Sequence, residues 1–335
     1  MNGVMKTQSE YYNDSTNYTG VSGSINNKFV IEDIYDLLST RNNDSLYFEL
    51  ACDIDFNEHP TYKFGVSENI FGKNKQNSSS HLYGNNHTIR NLVIKDSSSI
   101  VFSAIYVENL ILENLIFINS TNAVLFRNTS GNSGISSECK ATNIHIGCYM
   151  FNSATSCIFN PDVKHTSWTD CSFNIKGLTT DGLNITQGSA TNILRCHINV
   201  DIKTMSDMCI YISNVQTYLD NVYITGSIKQ IGTACMFDDG TNNFMTNGCL
   251  ENSYIAVNAI CETDGFTGYR IAGVTSTTVS FIDKELVQNL IETEIQNLHY
   301  LTTDECKDPE YLLSINFPVV YSDLNNGDIN GMDYN

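Results

Sequence analysis

Between Leu82 and Ile255 the chain repeats one local pattern: a polar residue, then Asn or Cys, then a short run in which apolar and polar positions alternate. The copies are Arg90-Asn91-Leu92-Val93-Ile94, Glu113-Asn114-Leu115-Ile116-Phe117-Ile118, Thr142-Asn143-Ile144-His145-Ile146, Asp170-Cys171-Ser172-Phe173-Asn174-Ile175, Arg195-Cys196-His197-Ile198-Asn199-Val200, Asp220-Asn221-Val222-Tyr223-Ile224 and Glu251-Asn252-Ser253-Tyr254-Ile255. Alternation with a period of two marks strands that bury one face. The markers Asn91, Asn114, Asn143, Cys171, Cys196, Asn221 and Asn252 recur at intervals of 23, 29, 28, 25, 25 and 31 residues, as in a solenoid with one coil per interval. An all-β fold follows, a right-handed parallel β-helix in which each coil pairs in register with its neighbours and surplus residues leave as loops. The seven markers are expected to stack in one column, with the Asn side chains hydrogen-bonded along it and Cys171 beside Cys196 as a stacked pair of thiols.

The flanks carry other patterns. Residues 1–27 are polar and aperiodic, which predicts a flexible N-terminal arm. Residues 28–80 read as an N-terminal cap. Ile31, Ile34, Leu37 and Leu38 fall at helical spacing before the stop Asn42-Asn43-Asp44, and Phe48, Leu50, Cys52, Ile54 and Phe56 alternate as a strand. The β-helix is placed at 81–281. Beyond it, Leu286, Leu290, Ile291, Ile295 and Leu298 recur at helical spacing with Asp283 as N-cap, so 282–320 is expected to be a helical cap over the open end. Residues 321–335 form an acidic, Asn/Gly-rich tail.

Composition narrows the partners. The 335 residues carry 18 Lys and Arg against 37 Asp and Glu, for a formal charge of −19. Neutralising phosphates needs clustered cations, so nucleic acid is not an expected partner. No run of 18 apolar residues occurs and the N-terminus lacks a basic start with an apolar stretch, so neither membrane insertion nor an export signal is expected. The 11 cysteines include no C-x-x-C pair. They are read as reduced, buried thiols, with no metal and no cofactor implied.

The order of the early motifs, Leu50 to Asn57 with its DIDFN and Leu82 to Ile94 with its Gly-Asn-Asn-His-Thr-Ile turn, resembles the opening of GLUG-type and pectate-lyase-like β-helix proteins of bacterial surfaces and bacteriophage particles. Leu301 to Val320 looks like a closing segment of such proteins. The resemblance implies the fold and a surface setting.

Candidate chemistry is thin. Asp181 and Asp207 follow their markers by 10 and 11 residues; stacked coils would bring them within the reach of a retaining carboxylate pair. Glu262 lies at an equivalent offset. Asp238-Asp239-Gly240 resembles the paired Asp of polygalacturonase-like hydrolases, but the Asn-x-Asp, Gly-His-Gly and Arg-x-Lys that accompany it there are missing; only Arg270 could serve as a downstream cation. His87 belongs to a structural turn, and His145 and His197 lie on strands facing outward. No Ser/His/Asp grouping is visible along the chain. The 18 tyrosines suit both sugar stacking and protein contacts. The expected function is a non-enzymatic bacteriophage virion protein, such as a tail-spike-like, head-fibre or capsid-surface appendage. It is expected on the virion surface as a homotrimer, docked to other virion proteins through the N-terminal arm and facing a host cell-surface glycan. A polysaccharide lyase or hydrolase using coil carboxylates and a bacterial surface adhesin are the alternatives.

Overall fold

Alternating runs of Ile, Val, Leu and Phe bury one face only if each strand finds a hydrogen-bonding neighbour, and in this chain the neighbour is always the next coil. In the computed structural model, which describes residues 23–42, 46–59, 70–72, 80–95, 102, 104–119, 139–153, 166–180, 182–186, 191–212, 217–232 and 239–317, every pairing between named strands is parallel. Examples are His197–Thr204 lying between Ser172–Thr179 and Tyr223–Gln230. The chain is an all-β parallel helix. Among the described residues, a sheet of 18 strands bends at a corner and supplies two faces, and a five-stranded sheet closes the third.

The core is built from columns of like residues. On the first face, Phe29, Phe48, Leu82, Val107, Ala141, Trp168, Ile193, Leu219 and Leu250 lie in register. Ala141 is the small member below Trp168, the largest fully buried side chain. On the second face the column runs Ile54, Ile89, Leu112, Ile146, Phe173, Ile198, Ile224, Ile255 and Ile282. Leu183, Ile210, Met245 and Ile271 line the third. Each buried aliphatic side chain contributes about 1.5–3 kcal/mol, so the stack is held chiefly by these columns.

The bend between the first and second faces is one residue in the left-handed conformation: Asn109, Asn143, Asp170, Arg195, Asn221 and Asn252, with φ between 48 and 57°. Asn tolerates this region better than other residues with a Cβ. Here the expected column of seven markers is corrected. Asn91 pairs with Asn114 at a second bend, whereas Asn143 pairs with Asn109, donating its Nδ2 to Asn109 Oδ1 at 2.8 Å. The early coils carry further left-handed Asn, Asn91 and Asn114, at that second bend, which ends where Glu113 and Asn114 face the single residue Gly147. Cys171 and Cys196 sit one position past the bend and point inward. Their places on the corner are taken by Asp170 and Arg195, joined by two hydrogen bonds of 2.7 and 2.8 Å from the guanidinium. The thiols do stack, with the Cys171 amide donating to Cys196 Sγ at 3.4 Å.

At the N-terminal end the helix forms at Ile34–Ser39, capped by Asp33, whose side chain accepts from the amides of Tyr35 and Asp36. The C-terminal helix does not form at 284–298. Asp283 caps a single 3-10 turn, Lys284–Leu286, and Leu290–Ile291 and Leu298–Leu301 add to the third and second faces. An open coil edge offers each backbone group a partner along the whole strand, which overrides helical spacing. Helices come later, at Thr303–Lys307 and Pro309–Ser314. They cover a flank of the stack: Leu301, Cys306, Leu312 and Phe317 pack on Tyr254 and Phe281. Of the arm expected at 1–27, residues 1–22 lie outside the described residues, as does the tail at 321–335, whereas Gly23 accepts from the Tyr47 amide at 3.0 Å and Ser24 bridges Asn27.

Gly226 has φ +106° inside a strand, where a Cβ would collide with the Val200 carbonyl oxygen. Gly226→Ala is expected to cost more than about 1 kcal/mol through this strain, read as a lower thermal midpoint. Cys52, Cys148, Cys171, Cys196, Cys209, Cys249, Cys261 and Cys306 are free, and all of these but Cys52 are buried. Burial pushes the Cys209 thiol up to about 12, and contact with Cys171 followed by burial raises that of Cys196. Iodoacetamide at pH 8 is therefore expected to modify Cys52 before Cys171, Cys196 and Cys209, which react only after denaturation, as read by peptide mass spectrometry.

Candidate functional site

The outward positions of the second face form three parallel rows. His145, Ser172, His197 and Tyr223 make the first; Gly147, Asn174, Asn199 and Thr225 the second; Tyr149, Lys176, Asp201, Ser227 and Asn258 the third. Inward neighbours on the same strands are the Ile, Val and Phe of the core, so each strand supplies packing on one side and polar groups on the other. Over the later coils these rows floor a groove of about 630 Å³ lined by Lys176, Asn199, Asp201, Thr225, Ser227 and Asn258, with Leu286 from the C-terminal segment at one side.

Hydrogen bonds order the floor. Thr225 Oγ1 donates to Asn199 Oδ1 at 3.2 Å. With its proton so used, it accepts from His197 Nε2 at 2.9 Å. Burial lowers the pKa of His197, which keeps the ring neutral at pH 7. Ser227 Oγ donates to Asp201 Oδ1 at 3.0 Å. The floor thus sets polar side chains of successive coils at the strand spacing of about 4.8 Å, with Asp201 the sole carboxylate among the lining residues.

Earlier along the same face, His145 Nδ1 lies 2.7 Å from Ser172 Oγ, and His145 Nε2 lies 3.2 Å from Asn143 Oδ1. Chain order hides this grouping, because its three members come from two coils. The groove residues were legible only after register was known: Phe173-Asn174-Ile175-Lys176, Ile198-Asn199-Val200-Asp201 and Ile224-Thr225-Gly226-Ser227 place polar residues at matching alternate positions.

Of the carboxylates singled out by sequence, Asp207, Asp239 and Glu262 lie among the described residues. Asp181 and Asp238 lie outside the described residues. Asp207 sits in the turn before Met208–Ile212 and does not line the groove. Asp239 is exposed at the edge of the third face, and hydrogen bonds from the Thr241 hydroxyl and amide hold its carboxyl below the usual range. A general acid needs the opposite shift. Arg270 Nη2 stands 3.9 Å from it. Glu262 is paired with Lys229 at 2.7 Å. His87 contacts Asp53 at 3.3 Å in the expected structural turn. Tyr47 and His81 stack at 4.1 Å with Tyr106 beyond, so their ring faces are spent on one another; among the described residues, Tyr149 and Tyr218 are the exposed tyrosines. Among the described residues no three His, Cys, Asp or Glu side chains converge as for a cation, and no helix is long and apolar enough to cross a membrane.

Fold and groove together define a parallel β-helix protein with a polar cleft on one flank. No protein-family model matches the chain, and no curated protein matches it in sequence. The side chains of Lys176 and Asp201 face outward, so Lys176→Ala and Asp201→Ala are expected to change unfolding free energy by no more than about 0.5 kcal/mol, measured by denaturant titration.

Proposed function

We propose that this chain is a glycan-facing surface appendage that holds a saccharide in the groove by hydrogen bonds and leaves its glycosidic bonds intact. One observation carries the reading: the floor is a ladder of Asn, Thr and Ser side chains repeating coil by coil, open along its length. Neutral donors and acceptors on a rigid surface suit hydroxyl-rich chains, and rigidity limits the ordering cost of binding. Glycosidic hydrolysis needs two carboxylates flanking the bond, and the groove presents Asp201 without a second.

The setting we propose is the surface of a bacteriophage particle, with the chain as a homotrimer anchored through its N-terminal arm. Supporting it are the resemblance at Leu50–Asn57 and Leu82–Ile94 and the strongly acidic composition, which keeps crowded surface proteins from sticking. A bacterial surface adhesin would use the same groove in another setting.

Calorimetric titration with host capsular polysaccharide tests the binding. Asn199→Ala and Asp201→Ala are each expected to weaken it about tenfold, the equivalent of about 1.4 kcal/mol. Reducing ends or unsaturated products after incubation, or affinity indifferent to both substitutions, would overturn the reading. Light scattering should show three copies per particle; a stable monomer would remove the appendage assignment.

A further inference from the structure

The relay that runs from the corner ladder to Ser172 has a chemical direction. Asn143 donates its Nδ2 to Asn109 Oδ1 at 2.8 Å, so its own Oδ1 is turned toward His145. A carbonyl oxygen only accepts, so at 3.2 Å it accepts a hydrogen bond from His145 Nε2–H. That fixes the tautomer with Nδ1 unprotonated, and Nδ1 accepts from the Ser172 hydroxyl at 2.7 Å. A hydroxyl hydrogen-bonded to an imidazole whose far nitrogen is held by a third side chain is the arrangement of a serine nucleophile with its general base. Asn in the third place occurs in the Cys-His-Asn sites of papain-like proteases.

The surroundings suit an acyl substrate. Gly147 is the register partner of Asn174 and stands two positions from both His145 and Tyr149. A Cβ there would meet nothing nearer than Leu112 O at 3.9 Å. Its missing side chain therefore relieves no clash and leaves room beside Asn174, its register partner. Asn174, exposed two residues along the same face, carries a side-chain amide. Backbone amides in a paired sheet interior are used by the ladder, so a side chain must donate to the oxyanion of a tetrahedral intermediate. Two residues further, Lys176 opens into the groove.

We infer that Ser172, His145 and Asn143 form a carboxylic-ester hydrolase site that removes O-acyl groups from the saccharide held in the adjoining groove. The carrier rests on the groove reading; the serine site does not. Ser172 Oγ attacks the ester carbonyl carbon as His145 Nδ1 takes its proton. The tetrahedral intermediate collapses, His145 returns the proton to the departing sugar oxygen, and acyl-Ser172 remains. Water, deprotonated by His145, then attacks the acyl carbon, and Ser172 leaves reprotonated, releasing a carboxylic acid and a deacylated sugar. Asn143 acts as a positioning residue through His145.

Three measurements on the full chain test this. A fluorophosphonate probe is expected to label Ser172, as located by peptide mass spectrometry. Hydrolysis of p-nitrophenyl acetate is expected to fall to the uncatalysed rate in Ser172→Ala and by at least about 100-fold in His145→Gln, with melting curves unchanged. Asn143→Asp keeps an acceptor and a residue tolerant of φ 53°, and its negative charge should shift the acid limb of the pH–rate profile upward by favouring the imidazolium; a purely structural Asn143 would not move it. Acetate release from an O-acetylated capsular polysaccharide is the last arm. Small-ester hydrolysis that depends on Ser172 but brings no acetate release overturns the glycan carrier and tells against the groove reading. Absence of Ser172 labelling, with p-nitrophenyl acetate turnover equal in native and Ser172→Ala protein, overturns the site itself, whatever the groove binds.

Discussion

Everything in this molecule depends on parallel pairing of each coil with the next in a register that cannot slip. A one-residue slip would turn every Ile, Val and Phe of the core outward. The corner between the first and second faces guards against it, because in the coils from Asn109 to Asn252 a single left-handed residue must fall at the same place. Asn109, Asn143, Asn221 and Asn252 meet the requirement with a side chain suited to φ near 50°. Asp170 and Arg195 meet it with an ion pair that bridges two coils.

Loss of the single Asn column does not weaken the stack, since the buried columns rather than the amides carry the energy. Branched aliphatic and aromatic side chains recur at equal heights on three faces, and small residues such as Ala141 make room for large ones such as Trp168. The amide ladder is a register device on the outer rim. Asn91 and Asn114 serve a second bend in the early coils only, and the register shift at Gly147 straightens the later ones. The groove floor lies on that straightened stretch. An unbent run of outward positions is what lets Lys176, Asn199, Asp201, Thr225 and Ser227 meet across three coils.

The same rim ties architecture to chemistry. Asn143 is at once a corner residue and the acceptor that sets the His145 tautomer, so the amide orientation demanded by Asn109 reaches Ser172 through two further hydrogen bonds. The C-terminal helices follow the same economy. They lie on the flank over Tyr254 and Phe281 because that part of the second face, unlike the groove beside it, carries aromatic rather than polar outward residues.

The sequence by itself determined the class of fold and the short helix after Phe29, because period-two alternation and a recurring turn residue are local signals that survive without partners. It also placed the strand at Phe48 and Leu50. It could not distinguish Asn109 from Asn114 as the corner, nor show that Asp283 to Leu301 would rather extend the sheet than coil into a helix, because both choices depend on what the neighbouring coil offers. Only the tertiary structure decided the groove and the Ser172, His145 and Asn143 grouping. Their members come from separate coils, and their proximity is created by strand spacing, a quantity that exists once register is set and leaves no trace in the order of residues along a single strand.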